Sequence, residues 1–179
     1  MPILHAELIE SSKKLLCKNG DGSEPLQCSI RRAVSTVYYA IFHHLSESCS
    51  SALTATSQKN LSRAKLQVYR SLNHREMLEA CKLAREQGLG FPKAIVDYAA
   101  FFLRMYKSRC DADYDPTEAG DFRVPQALNY IGEVEEVIRR FDGADEDDRR
   151  AFAILVAVKR ARKQPYSNTS FASLILDAR

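Results

Sequence analysis

Residues 29–46, SIRRAVSTVYYAIFHHLS, decide the fold because this one segment carries two helical faces. Apolar side chains recur along it at intervals of three and four residues, the spacing of a helix that buries one stripe. The apolar stripe comprises Ile30, Val34, Val37, Ile41 and Leu45. The second face carries Arg32, Ser35, Tyr39, Phe42 and His43. This polar row either has its tips satisfied within the fold or forms part of a functional site.

The rest of the chain repeats the helical pattern and predicts an all-α protein, an antiparallel bundle of five or six helices. With 179 residues the chain is the size of one domain, and no stretch alternates as a strand would. Asn73 and Glu76 have the spacing of a helix cap, so a new helix is expected at His74. Loops are expected over SESCSSALTATS and DADYDPTEAGDF. We assign residues 1–141 to the bundle and residues 142–179 to a C-terminal helix and an SLIL-containing tail, which packs on the same domain or on a partner.

Composition favours a soluble, cytoplasmic protein without cofactor or metal. The five cysteines are odd in number, lie far apart and include no C-x-x-C pair, so neither a disulfide framework nor a zinc site is indicated. Free thiols fit a reducing compartment. The first eleven residues do not have the pattern of a signal peptide, and no apolar run is long enough for a membrane span.

The net charge of +3 hides a segregation of charge along the chain. Residues 1–110 have a balance of +7, residues 111–150 of −8 and residues 151–179 of +4. A basic body beside an acidic segment suits contact with a polyanion such as RNA. It equally suits an acidic segment that covers a basic groove or contacts a partner subunit.

Three local groups of side chains could supply the chemistry of RNA cleavage, which needs a base for the 2′-hydroxyl proton and a cation for the phosphorane charge. The first is the polar row of the 29–46 segment. The second is the pair Arg70 and His74, which share a face if one helix runs through both; otherwise they form a solvated helix end. The third comprises Arg104, Arg109, Asp113 and Tyr114, and the alternative there is an ion pair that orders the acidic loop.

Two of these segments, RRAVSTVYYAIFHH and RMYKSRCDADYDP, resemble the HEPN domains (higher eukaryotes and prokaryotes nucleotide-binding). The likeness is to a small prokaryotic branch with an RRAxSxxYYAxFH helix and a later Ala-Asp-Tyr, and it covers about Leu8 to Phe141. The resemblance implies a helical bundle, a homodimer, and frequent partnership with a minimal nucleotidyltransferase in toxin–antitoxin or defence loci. Many HEPN proteins are metal-independent ribonucleases in which four to six residues lie between an Arg and a following His. Here Arg70 and His74 have only three residues between them, and no His follows Arg109.

We therefore expect a HEPN-type protein that binds RNA or a nucleotide-bearing partner. In the catalytic version, a metal-independent endoribonuclease, His43 is the base and Arg109 or Arg104 stabilises the anion. The binding residues expected to hold phosphate or stack a base are Arg32, Ser35, Tyr39, Asp113, Tyr114, Arg70 and His74. The alternative is a non-catalytic helical dimer that acts as a scaffold or adaptor for a partner protein.

Overall fold

The computed structural model describes residues 4–54, 61–117 and 122–158, and these ranges contain seven α-helices and no strand. The helices are α1 (Leu4–Leu15), α2 (Gln27–Leu53), α3 (Leu61–Ser71), α4 (His74–Ala84), α5 (Lys93–Tyr114), α6 (Val124–Asp142) and α7 (Glu146–Ala157). A 3₁₀ turn, Gln87–Leu89, lies between α4 and α5. The all-α prediction is confirmed, although the helices number seven rather than five or six.

Helix α2 lies at the centre and packs against α1, α3, α5, α6 and α7. The predicted apolar stripe is confirmed, since Val34, Val37, Ile41 and Leu45 are fully buried and Ile30 is 6% exposed. Burying each such side chain contributes about 1.5–3 kcal/mol. The stripe therefore accounts for the position of α2 at the centre of the core.

Helix α2 runs to Leu53, eight residues beyond the end of the apolar stripe, so the loop predicted from residue 46 is wrong over 46–53. Serine lowers helix propensity because its hydroxyl competes for backbone groups. Here the Ser46 hydroxyl donates to the Phe42 carbonyl within the helix, and Ser46, Cys49 and Ser50 are buried. Packing of this last part of α2 overrides the propensity of its residues.

Helix α5 also exceeds its predicted length, since it continues through the ADY of the acidic segment to Tyr114. The apolar spacing predicts an inward face of Ile95, Tyr98, Ala99, Phe102, Leu103 and Tyr106; the first four are buried, and the last two are only partly buried. The extension has a tertiary cause: the side chain of Arg31, on α2, binds carbonyl groups at this end of α5. An acidic sequence is thereby held helical at a helix end, where negative charge is unfavourable.

Helices α3 and α4 are separate. Asn73 has an extended backbone, and its side chain accepts a hydrogen bond from the Glu76 N–H at 3.1 Å, which confirms the predicted cap. Arg70 and His74 therefore do not lie on one continuous helix, and the shared face on which their pairing depended does not exist.

Two other helix faces need smaller corrections. The apolar spacing predicts inward residues Leu4, Leu8, Ser11, Leu15 and Leu16 for the first helix, and Leu128, Ile131, Val134, Ile138 and Phe141 for α6. In α1 the buried residues are Ile9 and Ser12, whereas Leu4 and Ser11 are exposed. In α6, Leu128 is 48% exposed, while the other predicted residues, Ile131, Val134, Ile138 and Phe141, are buried. The difference in α1 amounts to a rotation of the inward face, which a three-and-four pattern defines only within about one residue. In α6 the face is as predicted except at its first position, where Ala127 is buried instead of Leu128.

Helix α7 packs against α2 and α4 through Phe152, Ala153 and Val156. It begins after Asp145, whose side chain accepts from the Asp147 N–H, and three acids occupy its first turn, where the helix dipole favours them. The predicted basic end of this helix and the SLIL tail lie outside the described residues. In the described ranges no helix combines the length and the apolar character needed to cross a membrane.

Candidate functional site

The two motif segments meet where α2 passes the C-terminal end of α5. Arg31 Nε donates to the Ala112 carbonyl at 2.9 Å, and its Nη2 donates to the carbonyls of Asp111 (3.1 Å) and Asp115. The last carbonyls of a helix have no partner within the helix. Arg31 thus supplies the missing donors and a positive charge at the negative end of the helix dipole.

One turn further along α2, Ser35 and Tyr39 contact the side chains of α5. The buried Ser35 hydroxyl donates to Asp113 Oδ2 at 3.2 Å, and Arg109 Nη2 donates to Tyr39 Oη at 3.2 Å. Arg109 Nε lies 2.8 Å from Asp113 Oδ2, but the buried Nε–H forms no directed hydrogen bond. The Arg109–Asp113 contact is therefore an ion pair held by charge. Ser35 and Asp113 are largely engaged within the fold.

The Arg109 guanidinium lies between two phenol rings. Its Cζ is 5.8 Å from the Tyr39 ring centroid and 4.9 Å from that of Tyr114, which is 68% exposed. These distances allow cation–π attraction on both sides. Burial alone would lower the pKa of Arg109, but hydrogen bonds to Tyr39 and Tyr114 have the larger combined effect, and the pKa is raised above its ordinary value. Arg109 is a permanent, orientated cation.

His74, the first residue of α4, joins the same cluster. Its Nδ1 is 2.5 Å from Tyr38 Oη, and its ring centroid lies 4.4 Å from that of Phe42 and 6.3 Å from that of Tyr39. Burial lowers the pKa of His74, and the charge of Arg109 lowers it further. His74 is therefore mainly a neutral imidazole near pH 7.

His43 lies on the other side of Phe42, at a ring-centroid distance of 5.4 Å. Its Nδ1 is 2.5 Å from Tyr69 Oη of α3, and the two rings are nearly parallel, 13° apart. Burial lowers the pKa of His43, with a second contribution from His74. We call the surface formed by Tyr39, His43, Tyr69, His74, Arg109 and Tyr114 the aromatic–basic face.

Three predicted site residues are not brought to this face by any contact of the described residues. Arg104 pairs with Glu133 of α6 and lies over Phe101. Arg109 lies five positions after Arg104 on α5, and at about 100° per residue their side chains are about 140° apart around the helix. Arg32 and Arg70 are exposed, and no described side-chain contact links either of them to this face.

Sequence reasoning missed Arg31, Tyr38 and Tyr69. Arg31 lies four residues before Ser35, so the helical period could have indicated that Arg31, rather than Arg32, shares the face of Ser35. Tyr38 is fully buried within the apolar side of α2, where its hydroxyl needs a partner. Nothing in the local pattern singles out Tyr69, because its partner belongs to another helix.

A second histidine cluster lies between α1, α2, α6 and α7. His44 Nε2 is 3.1 Å from Asp142 Oδ1, His44 Nδ1 is 2.9 Å from Tyr98 Oη, and the His5 ring packs edge-on at 4.9 Å. These groups border an open groove of about 440 Å³ that is also lined by Glu47, Glu146 and Arg149. No residue of the aromatic–basic face lines it. Among the described residues, no group of His, Cys, Asp and Glu has the arrangement of a metal site.

The histidines predict how stability depends on pH. Burial is the first cause that lowers the pKa of His5, His43 and His74 below the ordinary value of about 6.5, so the unfolded chain binds more protons than the folded one. Their contribution is complete above about pH 6.5 and is lost as the pH falls toward the lowered values. We expect the free energy of unfolding, measured with urea, to stay nearly level from pH 7.5 to about pH 6.5 and to decrease between pH 6.5 and pH 5.5. A constant or rising value over this range would contradict the burial of these rings.

Comparisons with known proteins give no match: the chain matches no protein family, no curated protein and no solved structure.

Proposed function

We propose that this chain is a HEPN-type RNA-binding protein and that RNA binds on the aromatic–basic face. The observation that carries the proposal is the position of Arg109 between Tyr39 and Tyr114, with the mainly neutral His74 beside it. A guanidinium can hold a phosphate with two hydrogen bonds. An exposed phenol such as Tyr114 can stack on an unpaired base.

Exposed cations near the ends of these helices support the same function. Arg32 precedes Ser35 and Tyr39 on α2, and Arg70 and Arg75 flank the break between α3 and α4. Each phosphate contacted by such a side chain releases counterions, which makes binding sensitive to salt. Of the acidic residues after Arg109, Asp113 pairs with Arg109, and Asp115 lies within the influence of the charge of Arg31.

The catalytic version of the proposal is a metal-independent endoribonuclease. His43 is the base in this version because it is largely neutral near pH 7 and because its partner Tyr69 is only partly buried, so the Tyr69 hydroxyl need not donate to the imidazole. Arg109 stabilises the developing charge. Within one chain no described contact joins His43 to Arg109, so this version requires a homodimer in which the faces of two subunits meet. A minimal nucleotidyltransferase from the same locus is the proposed partner. The five free thiols support a cytoplasmic location.

A non-catalytic helical dimer or adaptor is the second candidate. The contacts of Arg31 and Ser35 with α5 favour this candidate, because they give residues of the first motif segment a structural role. In this case the motif segments hold α2 and α5 together, and no RNA is needed to explain them.

Binding of a labelled single-stranded RNA, followed by fluorescence anisotropy in EDTA, tests the proposal. With about three phosphate contacts, raising the salt from 50 to 200 mM should weaken binding roughly twentyfold. Gel analysis of the same mixtures tests cleavage, which should disappear with His43→Ala. Binding that does not respond to salt, or no binding at all, would reject the RNA proposal. If either of these results is found and the protein remains a dimer in high salt, the adaptor is favoured.

A further inference from the structure

The phenol of Tyr38 has one hydrogen-bond partner among the described residues, and that partner is His74 Nδ1 at 2.5 Å. The Tyr38 side chain is fully buried, and burial raises the pKa of its hydroxyl far above the ordinary value. The phenol therefore keeps its proton under all physiological conditions. A buried O–H group that donates to nothing is costly, so this proton is directed to Nδ1.

The position of this proton determines which nitrogen of His74 carries hydrogen. A neutral imidazole has one donor nitrogen and one acceptor nitrogen. If Nδ1 accepts from Tyr38, then Nε2 carries the ring proton. The opposite tautomer would have Nδ1–H donate to Tyr38 Oη, which would leave the buried phenol proton without an acceptor. The geometry thus distinguishes the two tautomers.

The surroundings of His74 also oppose the doubly protonated form. The residue is the first of α4, where the positive end of the helix dipole disfavours a cation. Arg109 on α5 and His43 on α2 face it from the other elements, and Tyr38, Tyr39 and Phe42 surround the ring. No carboxylate among the described contacts of the ring offsets the positive charges.

We propose that Tyr38 is a positioning residue that fixes His74 as the neutral Nε2–H tautomer, so that His74 acts on the aromatic–basic face as a hydrogen-bond donor to an anionic oxygen of RNA. His74 then cannot be the general base, because the nitrogen that could accept a proton is occupied by Tyr38. The role toward RNA rests on the proposed function. The tautomer itself does not, since it follows from contacts within the chain.

Nitrogen NMR of the histidine rings in the full-length protein without RNA tests the tautomer. In the wild type, His74 should show an unprotonated Nδ1 and a protonated Nε2 at pH 7.5. Tyr38→Phe should give a mixture of tautomers and raise the His74 pKa by about one unit, the effect of one lost hydrogen bond. Tyr106→Phe is the matched control, because the Tyr106 ring lies 5.8 Å from that of Tyr38 and it loses the same atom. It should leave His74 unchanged.

A protonated Nδ1 in the wild type would overturn the inference, and this result does not require that Tyr38→Phe fold. An unchanged tautomer and pKa in a folded Tyr38→Phe would overturn it as well. The urea midpoints of both variants show whether they are folded.

The pH profile of RNA affinity tests the role of His74 in binding. In Tyr38→Phe, His74 can gain a proton on acidification, so the ratio of affinity at pH 6 to affinity at pH 8 should rise severalfold above the wild-type and Tyr106→Phe ratios. A purely structural role of Tyr38 would lower affinity equally at both pH values and would overturn the role in binding. If the NMR result holds but no variant binds RNA, the proposed function fails while the tautomer assignment stands. If RNA binds while Nδ1 carries the proton, the tautomer assignment fails while the proposed function stands.

Discussion

Replacing Arg31 with methionine should lower the free energy of unfolding by about 3 kcal/mol, because charge-assisted hydrogen bonds to the end of α5 are lost while the length of the side chain is kept. The guanidinium binds the carbonyls of Asp111, Ala112 and Asp115. Without it, the acidic last turn of α5 faces the negative end of its own helix dipole. Urea unfolding followed by circular dichroism measures the loss.

Arg32→Met is the matched control, since the substitution is chemically identical and the residue is the next one on α2. Arg32 is exposed, and replacing it should change stability by about 0.5 kcal/mol or less. Equal losses in the two variants would show that the end of α5 does not depend on Arg31. The same pair can be compared for RNA binding, where the expected order reverses because only Arg32 is open to solvent.

This reversal distinguishes two roles of the residues in the motif segments, one within the fold and one in binding a ligand. Of the two adjacent arginines, one contributes to the fold, and the other is free to meet a ligand. Ser35 and Asp113, like Arg31, contribute to the fold, because the Ser35 hydroxyl donates a hydrogen bond to the Asp113 carboxylate. Arg109 has both roles, because it donates to Tyr39 within the fold and also contacts the exposed ring of Tyr114.

The central helix could be predicted because the pattern that defines it lies within its own sequence. A stripe repeated every three to four residues defines both the element and its buried side, and all five residues of the stripe in α2 are buried. Asn73 was equally predictable, because a cap acts over three residues. The ends of α2 and α5 were not predictable. The residue that supports the end of α5 lies 81 positions before Ala112, and no local pattern reports such a contact.

The candidate site was predicted in part for the same reason. Tyr39 and His43 share a helical face, so the sequence alone placed them together. Arg104 and Arg109 were grouped because they are close in sequence, although a five-residue step along α5 places their side chains on different sides of the helix. Tyr38 and Tyr69 were missed because each meets its histidine through tertiary structure.

Arg109→Gln should weaken RNA binding about thirtyfold, the effect of losing one charge-assisted contact to phosphate of about 2 kcal/mol. Arg109 offers a cation held between Tyr39 and Tyr114, and glutamine keeps donor groups without the charge. The slope of log affinity against log salt should also fall by about 0.7, the value for one phosphate contact on a single strand. Anisotropy titrations at several salt concentrations measure both quantities.

Arg104→Gln removes the same charge from the same helix and is the control for net charge. Its partner is Glu133 on α6, so both RNA affinity and salt slope should remain close to those of the wild type. Arg109→Lys should restore the salt slope but only part of the affinity, because an ammonium keeps the charge and loses the planar guanidinium that stacks between two rings. If Arg104→Gln and Arg109→Gln weaken binding equally, RNA responds to the overall charge of the protein and not to the aromatic–basic face. A difference between them in slope as well as in affinity would support direct contact of Arg109 with a phosphate.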